Sequence, residues 1–145
     1  MASARASHWF SPAALGLVIA GGALGVAVRA ALVLPLEGGH PLVVPAVTLA
    51  VNVLGSFLLG AVVGALDDRR PLLRLFLGTG ALGGFTTYSA FAVQVVTTSR
   101  DAPVVGLALA AVSVIVGVVG ATAGLLVGRR VAGAPNASED PEDAE

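Results

Sequence analysis

Charged residues divide the chain into four uncharged or nearly uncharged runs, at residues 13–36, 41–66, 75–99 and 102–128. A helix of about 20 apolar residues crosses the hydrocarbon core of a bilayer, and each run reaches that length. The pattern predicts an all-α integral membrane protein with four transmembrane helices, packed as one domain over residues 1–131. Residues 132–145 change character. They are rich in Pro, Ala and acids, a composition that predicts a disordered acidic C-terminal tail.

The third run is interrupted in a way the others are not. Gly78, Gly80, Gly83 and Gly84 place four glycines within seven positions, and Thr86, Thr87 and Ser89 follow directly. Glycine weakens helix continuity, and the hydroxyls can bond main chain or ligand. Irregular backbone at membrane depth is tolerated only where protein buries it or water reaches it. The third helix is therefore expected to be broken at its centre, with half-helix ends and freed carbonyls lining an ion site near the bilayer midplane. Elsewhere glycine marks close helix approach: Gly21 and Gly25 in the first run have small-xxx-small spacing, and Gly120, Gly124 and Gly128 recur every four residues in the fourth. The stretch Gly78 to Gly83 also satisfies the dinucleotide pattern GxGxxG. That motif requires a preceding strand in a βαβ unit, and none is predicted here.

Composition narrows the chemistry. The 145 residues are 56% hydrophobic and 12% charged, against roughly 25% charged in soluble domains, and the mean hydropathy is +0.91. The formal net charge of -1 hides an asymmetry, because five of the nine acids (Glu139, Asp140, Glu142, Asp143 and Glu145) lie in the tail. The sequence up to Ser138 carries eight Arg against four acids. Cysteine is absent, which removes disulfides and thiolate chemistry. The apolar runs contain neither His nor paired carboxylates, so hydrolysis, redox and group transfer lack their reacting groups and an enzyme is not expected. A small four-helix multidrug-type transporter is the alternative on size. Such a carrier needs a membrane-embedded carboxylate to exchange protons for a cationic substrate, and the four runs hold none.

Two polar residues inside the runs each allow two readings. Arg29 is the only charge in the first run; it costs about 3 kcal/mol at a helix centre unless a polar cavity serves it or it snorkels to the headgroups. Asn52 is an amide deep in the second run. It serves either as an interhelical hydrogen bond, contributing about 0.6 to 2 kcal/mol, or as a donor to a passing anion. Trp9 is expected to anchor the chain at the interface, and His40 to be a solvated loop residue. The remaining intramembrane polar residues, Thr48, Ser56, Thr79, Thr86, Thr87, Tyr88, Ser89, Gln94, Ser113 and Thr122, are mainly hydrogen-bond donors. Donors without carboxylates suit a small anion, and the hydrogen-bearing edges of aromatic rings add positive potential.

Three segments together resemble the Fluc (CrcB) fluoride channel family: Gly21-Gly22-Ala23-Leu24-Gly25 with Arg29; Asn52-Val53-Leu54-Gly55-Ser56-Phe57; and Gly83-Gly84-Phe85-Thr86-Thr87-Tyr88-Ser89-Ala90-Phe91. The resemblance extends over all four predicted helices. It implies a passive channel in the cell membrane through which cytoplasmic fluoride leaves, lowering its toxicity, built as an antiparallel dimer with two pores. It also implies a structural sodium ion held by the main-chain carbonyls of Gly83 and Thr86. The implied fluoride path is lined by Asn52, Tyr88, Ser89 and Phe91, to which Thr87 and Ser113 are added. Two features depart from the family pattern. Tyr88 stands where Phe is usual, and aligning the usual serine of the fourth helix on Ser113 places Leu109 at a tyrosine position, with Gly117 and Ala121 where hydroxyls recur. A second reading follows, in which the chain is a non-conducting structural subunit of such a channel.

The arginines bear on the partner. With four spans, both termini share one side with the loop at residues 67–74, and that side collects Arg5, Arg69, Arg70, Arg74, Arg129 and Arg130. The other side has Arg100, plus Arg29 if it snorkels. The arginine-rich side faces the cytoplasm, so one fixed orientation with both termini inside is expected. In an antiparallel pair the inverted protomer is then a homologous subunit of opposite orientation.

Overall fold

The computed structural model describes residues 11–40, 42–66 and 69–133. Trp9 and the tail beyond residue 133 lie outside the described residues. Among the described residues every regular element is helical and no strand occurs. Helix α1 spans Pro12–Val33, opened by Ser11, whose Oγ accepts the Ala14 N–H at 3.1 Å, and by Pro12 in the first turn. A short 3-10 turn, Leu34–Leu36, extends it. Helix α2 is Val43–Leu66. Helix α3, Pro71–Arg74, passes into a wider helical segment, Leu75–Leu82, and then into one last turn, α4, Gly83–Phe85. Helices α5, Tyr88–Asp101, and α6, Pro103–Val131, complete the chain.

Among the described residues three helical stretches are long and apolar enough to cross a membrane: Pro12–Leu36, Val43–Leu66 and Pro103–Val131, of 25, 24 and 29 residues. Their packing inverts the order of a soluble protein. Large apolar side chains point outward, as at Leu107 (71% exposed) and Ile115 (61%). The buried positions are mostly glycine: Gly21 and Gly25 in α1, Gly55, Gly60 and Gly64 in α2, and Gly106, Gly124 and Gly128 in α6. Lipid is as apolar as leucine and does not drive helices together, so close backbone approach through small residues does.

Two glycine seams result. In the first, α1 lies on the wide segment: a Cβ at Gly25 would fall on the Ala81 carbonyl and 2.7 Å from the Phe85 nitrogen, while one at Gly80 would lie 3.0 Å from the Val18 carbonyl. In the second, α2 lies on α6: a Cβ at Gly120 would come within 3.2 Å of the Val53 carbonyl, and one at Gly128 within 2.8 Å of the Ala65 nitrogen. Along both seams residue numbers rise together, so the paired elements run parallel. The second seam is the most extensive pairing in the fold.

The glycines of the third run do not interrupt the helix; they widen it. Through Leu75–Leu82 the main chain pairs five residues back, and Gly83 N–H reaches the Gly78 carbonyl. The interruption falls later, at Thr86 and Thr87, which are extended with φ/ψ of -77°/156° and -143°/110°. Close packing of Gly80 and Gly84 on the α1 backbone holds the glycine-rich part helical. The chain leaves the helix where threonine side chains can take over main-chain bonds.

Candidate functional site

A helix that stops and restarts leaves main-chain groups without their usual partners, and each must be satisfied. In an uninterrupted helix the Gly83 carbonyl would receive the Thr87 N–H. That N–H instead donates to Asn52 Oδ1 at 2.8 Å. The Asn52 amide returns the bond, with Nδ2 donating to the Thr87 carbonyl at 3.0 Å. This two-way pairing fixes the amide's orientation, since only its oxygen can face an N–H. The Thr86 carbonyl would receive the Ala90 N–H, but that group caps α5 by donating to Thr87 Oγ1 at 3.3 Å. Arg29 Nε donates to the Gly84 carbonyl at 3.3 Å. The Leu82 carbonyl accepts both the N–H and the Oγ1–H of Thr86, each at 3.0 Å. Side chains from α1 and α2 thus bind the carbonyls of Gly84 and Thr87, while the carbonyls of Gly83 and Thr86 have lost their helical donors.

Two clefts open on this junction. One, of about 280 Å³, is lined by Asn52, Ser56, Gly78, Gly83, Thr86, Thr87, Tyr88 and Phe91 among others. The other, of about 110 Å³, lies between α2, α5 and α6 and includes Asn52, Ser56, Phe91, Gln94, Leu109, Ser113 and Gly117. Asn52, Ser56 and Phe91 line both. Each cleft has room for a water-sized species. An NH₂ group carries two donors, so Asn52 keeps one N–H beyond its bond to Thr87. Gln94 likewise keeps one beyond its bond to Thr48 Oγ1 at 3.0 Å. No carboxylate lines either cleft. Among the described residues no group of three or more His, Cys, Asp and Glu comes together.

The residues singled out in the sequence separate into two sets. Asn52, Gly83, Thr86, Thr87, Tyr88 and Phe91 meet at the larger cleft, and Ser113 reaches the smaller one. Ser113 spends its hydroxyl hydrogen on the Leu109 carbonyl at 2.7 Å. Ser89 is exposed and lines neither cleft, though its Oγ lies 3.3 Å from Thr87 Oγ1. Tyr88 is 81% exposed, its ring tilted 54° against Phe91 with centroids 6.1 Å apart. On α6, Leu109 and Gly117 face the smaller cleft beside Ser113, whereas Ala121 backs Gly60 in the α2 seam. Ser56 and Gln94 were absent from the expected path. The signal for Ser56 was present: Thr48, Asn52 and Ser56 recur every four residues, which puts them on one face of α2.

Hydrogen-bond donors that converge on an interrupted helix in a helical membrane protein suit the channel and transporter class. The family model described as CrcB-like protein, Camphor Resistance (CrcB), matches residues 16–125. The chain is 43% identical over 118 residues to the fluoride-specific ion channel FluC 2 of Bacillus subtilis (strain 168), covering 80% of this chain and 88% of that protein. It is 40% identical over 120 residues to the fluoride-specific ion channel FluC of Hyphomonas neptunium (strain ATCC 15444), covering 79% and 94%. It is 39% identical over 127 residues to the fluoride-specific ion channel FluC 2 of Leifsonia xyli subsp. xyli (strain CTCB07), covering 79% and 83%. The chain belongs to the CrcB (FluC) family of fluoride channels; it is a membrane protein, and the family is one of ion channels and not of enzymes.

Proposed function

We propose that the chain is a subunit of a fluoride-specific channel in the cell membrane, through which cytoplasmic fluoride leaves passively. The observation that carries this reading is Asn52. Its amide is tied to Thr87 at the helix interruption, lines both clefts, and keeps one N–H for an anion. In this reading α3 to α5 form the third of four spans, broken at Thr86 and Thr87. The parallel seam between α1 and the wide segment supports it, since the first and third of four spans run in the same direction. The fluoride path runs along Asn52, Thr87, Tyr88 and Phe91 toward Ser113, with Ser56 and Gln94 added and Ser89 beside it. Hydrogen-bond donors and ring edges along the path replace water around the ion.

Two exposed clefts and exposed Tyr88 suit a protein completed by a second subunit, and the reading takes the assembly as an antiparallel dimer with two pores. Sodium fits the junction as a structural ion, because hard cations take oxygen ligands and the carbonyls of Gly83 and Thr86 have lost their helical donors. When bound, it would supply positive charge that ties together the ends of the broken helix. The arginine distribution supports a reading with both termini in the cytoplasm and a homologous chain as the inverted protomer. One observation favours the second reading, a non-conducting structural partner: Leu109 and Gly117 leave Ser113 as the only α6 hydroxyl at the smaller cleft. Fluoride efflux from liposomes holding the purified chain, with and without its partner, tests the proposal. Efflux above protein-free vesicles from either preparation is expected; efflux at the protein-free rate from both would overturn it. Efflux with the partner alone in place of the pair, unchanged by adding this chain, would assign the structural role.

A further inference from the structure

A third cleft, of about 130 Å³, lies away from the ion path at the shared end of α2 and α6. Val63, Gly64 and Ala65 of α2 and Leu125 of α6 form its apolar walls, and Arg69 and Arg129 stand at it. Gly64 and Leu125 approach closely through backbone, which closes the cleft between the two helices. Both arginines are exposed, and among the described residues neither is in a salt bridge or side-chain hydrogen bond.

The ordinary role of an arginine in the last turn of a helix is to offset the partial negative charge of that end. Two parallel helices end here, so about one elementary charge of carbonyl dipole is present against two full guanidinium charges. The surrounding sequence keeps the balance positive: Arg69, Arg70, Arg74, Arg129 and Arg130 stand against Asp67 and Asp68. The cleft sits where two membrane-crossing stretches finish, at headgroup depth, and its lower walls are apolar. A basic pocket between transmembrane helices at that depth has the chemistry of a site for a phosphate-bearing headgroup. We propose that the cleft binds a phosphate group, held by Arg69 and Arg129, with the acyl chains of an anionic phospholipid lying along α2 and α6. The inference does not depend on fluoride conduction.

Native mass spectrometry of the full-length protein in detergent, with dioleoyl phosphatidylglycerol or dioleoyl phosphatidylcholine added, tests it. Wild type is expected to retain the anionic lipid in preference, and the preference to fall about fivefold for each arginine removed in Arg69→Gln and Arg129→Gln. Arg70→Gln with Arg130→Gln removes the same charge from the same end but from residues that do not line the cleft, and is expected to keep most of the preference. Inorganic phosphate that displaces the lipid from wild type would support the site and assign it to soluble phosphate; retention in its presence would assign it to lipid. An unchanged preference in the Arg69→Gln and Arg129→Gln variants, or an equal fall in both pairs, would overturn the proposal. Helical circular dichroism of each variant separates lost binding from lost fold.

Discussion

Replacing Asn52 by alanine tests the junction most directly. The side chain contributes two hydrogen bonds to one residue, at 2.8 and 3.0 Å, and both partners are main-chain atoms of Thr87, a buried residue. At the average of about 0.6 kcal/mol for polar contacts between membrane helices, the pair contributes about 1.2 kcal/mol. Leaving two buried backbone groups unpaired costs more, about 1 to 3 kcal/mol each. Water in the adjoining 280 Å³ cleft can satisfy part of that demand, so a total near 2 to 3 kcal/mol is the reasonable figure. Expressed as loss of the conducting arrangement, this is roughly a thirtyfold or greater fall in flux. Fluoride efflux from liposomes should be read as the rate per active vesicle, beside thermal stability in detergent. Asn52→Asp separates the two roles of the amide. It keeps an acceptor for the Thr87 N–H but sets a carboxylate against the Thr87 carbonyl and against a passing anion, so flux should fall at least as far. Unchanged flux in Asn52→Ala would refute the pore role; lower stability with normal flux would reduce Asn52 to a structural clamp.

Three further outcomes are expected. Tyr88→Phe should leave stability within about 0.5 kcal/mol, since the ring is 81% exposed, and should hold or raise fluoride flux by restoring an unsubstituted ring; a large fall in flux would assign the hydroxyl a role in the path. Thr86→Ala should leave the sodium dependence of flux intact, because the carbonyl remains and only the bond from Oγ1 to the Leu82 carbonyl is lost; loss of sodium dependence would place the side chain on the ion. Gly124→Val should lower the melting temperature sharply, by more than the usual overpacking cost of about 1 to 3 kcal/mol, because its Cβ would fall on the Phe57 carbonyl, whereas Gly16→Ala, with nothing within 4 Å, should be neutral or slightly stabilising; equal melting temperatures for the two would refute the seam argument.

Hydropathy and length made the membrane class and three spanning stretches legible, because both act through many residues at once. Helix ends were less legible. The apolar run at 102–128 stops before Arg129, yet α6 continues to Val131, since arginine is favoured in a last helical turn. Likewise α3 starts at Pro71, ahead of Arg74, because proline suits a helix start. The glycine spacing in the first and fourth runs pointed to close approach, but which glycine meets which carbonyl depends on the pairing of distant segments. The same dependence hid the position of the interruption. Local propensity places a break at the glycines, whereas packing on α1 holds them helical and moves it to Thr86 and Thr87. For Arg29 the sequence left a choice between cavity and headgroup. A half-buried guanidinium bonded to the Gly84 carbonyl is a third arrangement, in which the charge serves a freed backbone group.

The wide segment at Leu75–Leu82 has a consequence for insertions and deletions. Pairing five residues back turns the chain through less angle per residue than ordinary α pairing, so the azimuth at which Gly83 emerges is set by how many residues the segment holds. Losing one residue there could be absorbed by tightening to α winding, and the helix would survive with its seam glycines in place upstream. Thr86, Thr87 and Tyr88 would then leave the helix pointing in a different direction from the one that meets Asn52. The segment therefore sets the aim of everything that follows it, and its residue count is constrained even where its side chains are not.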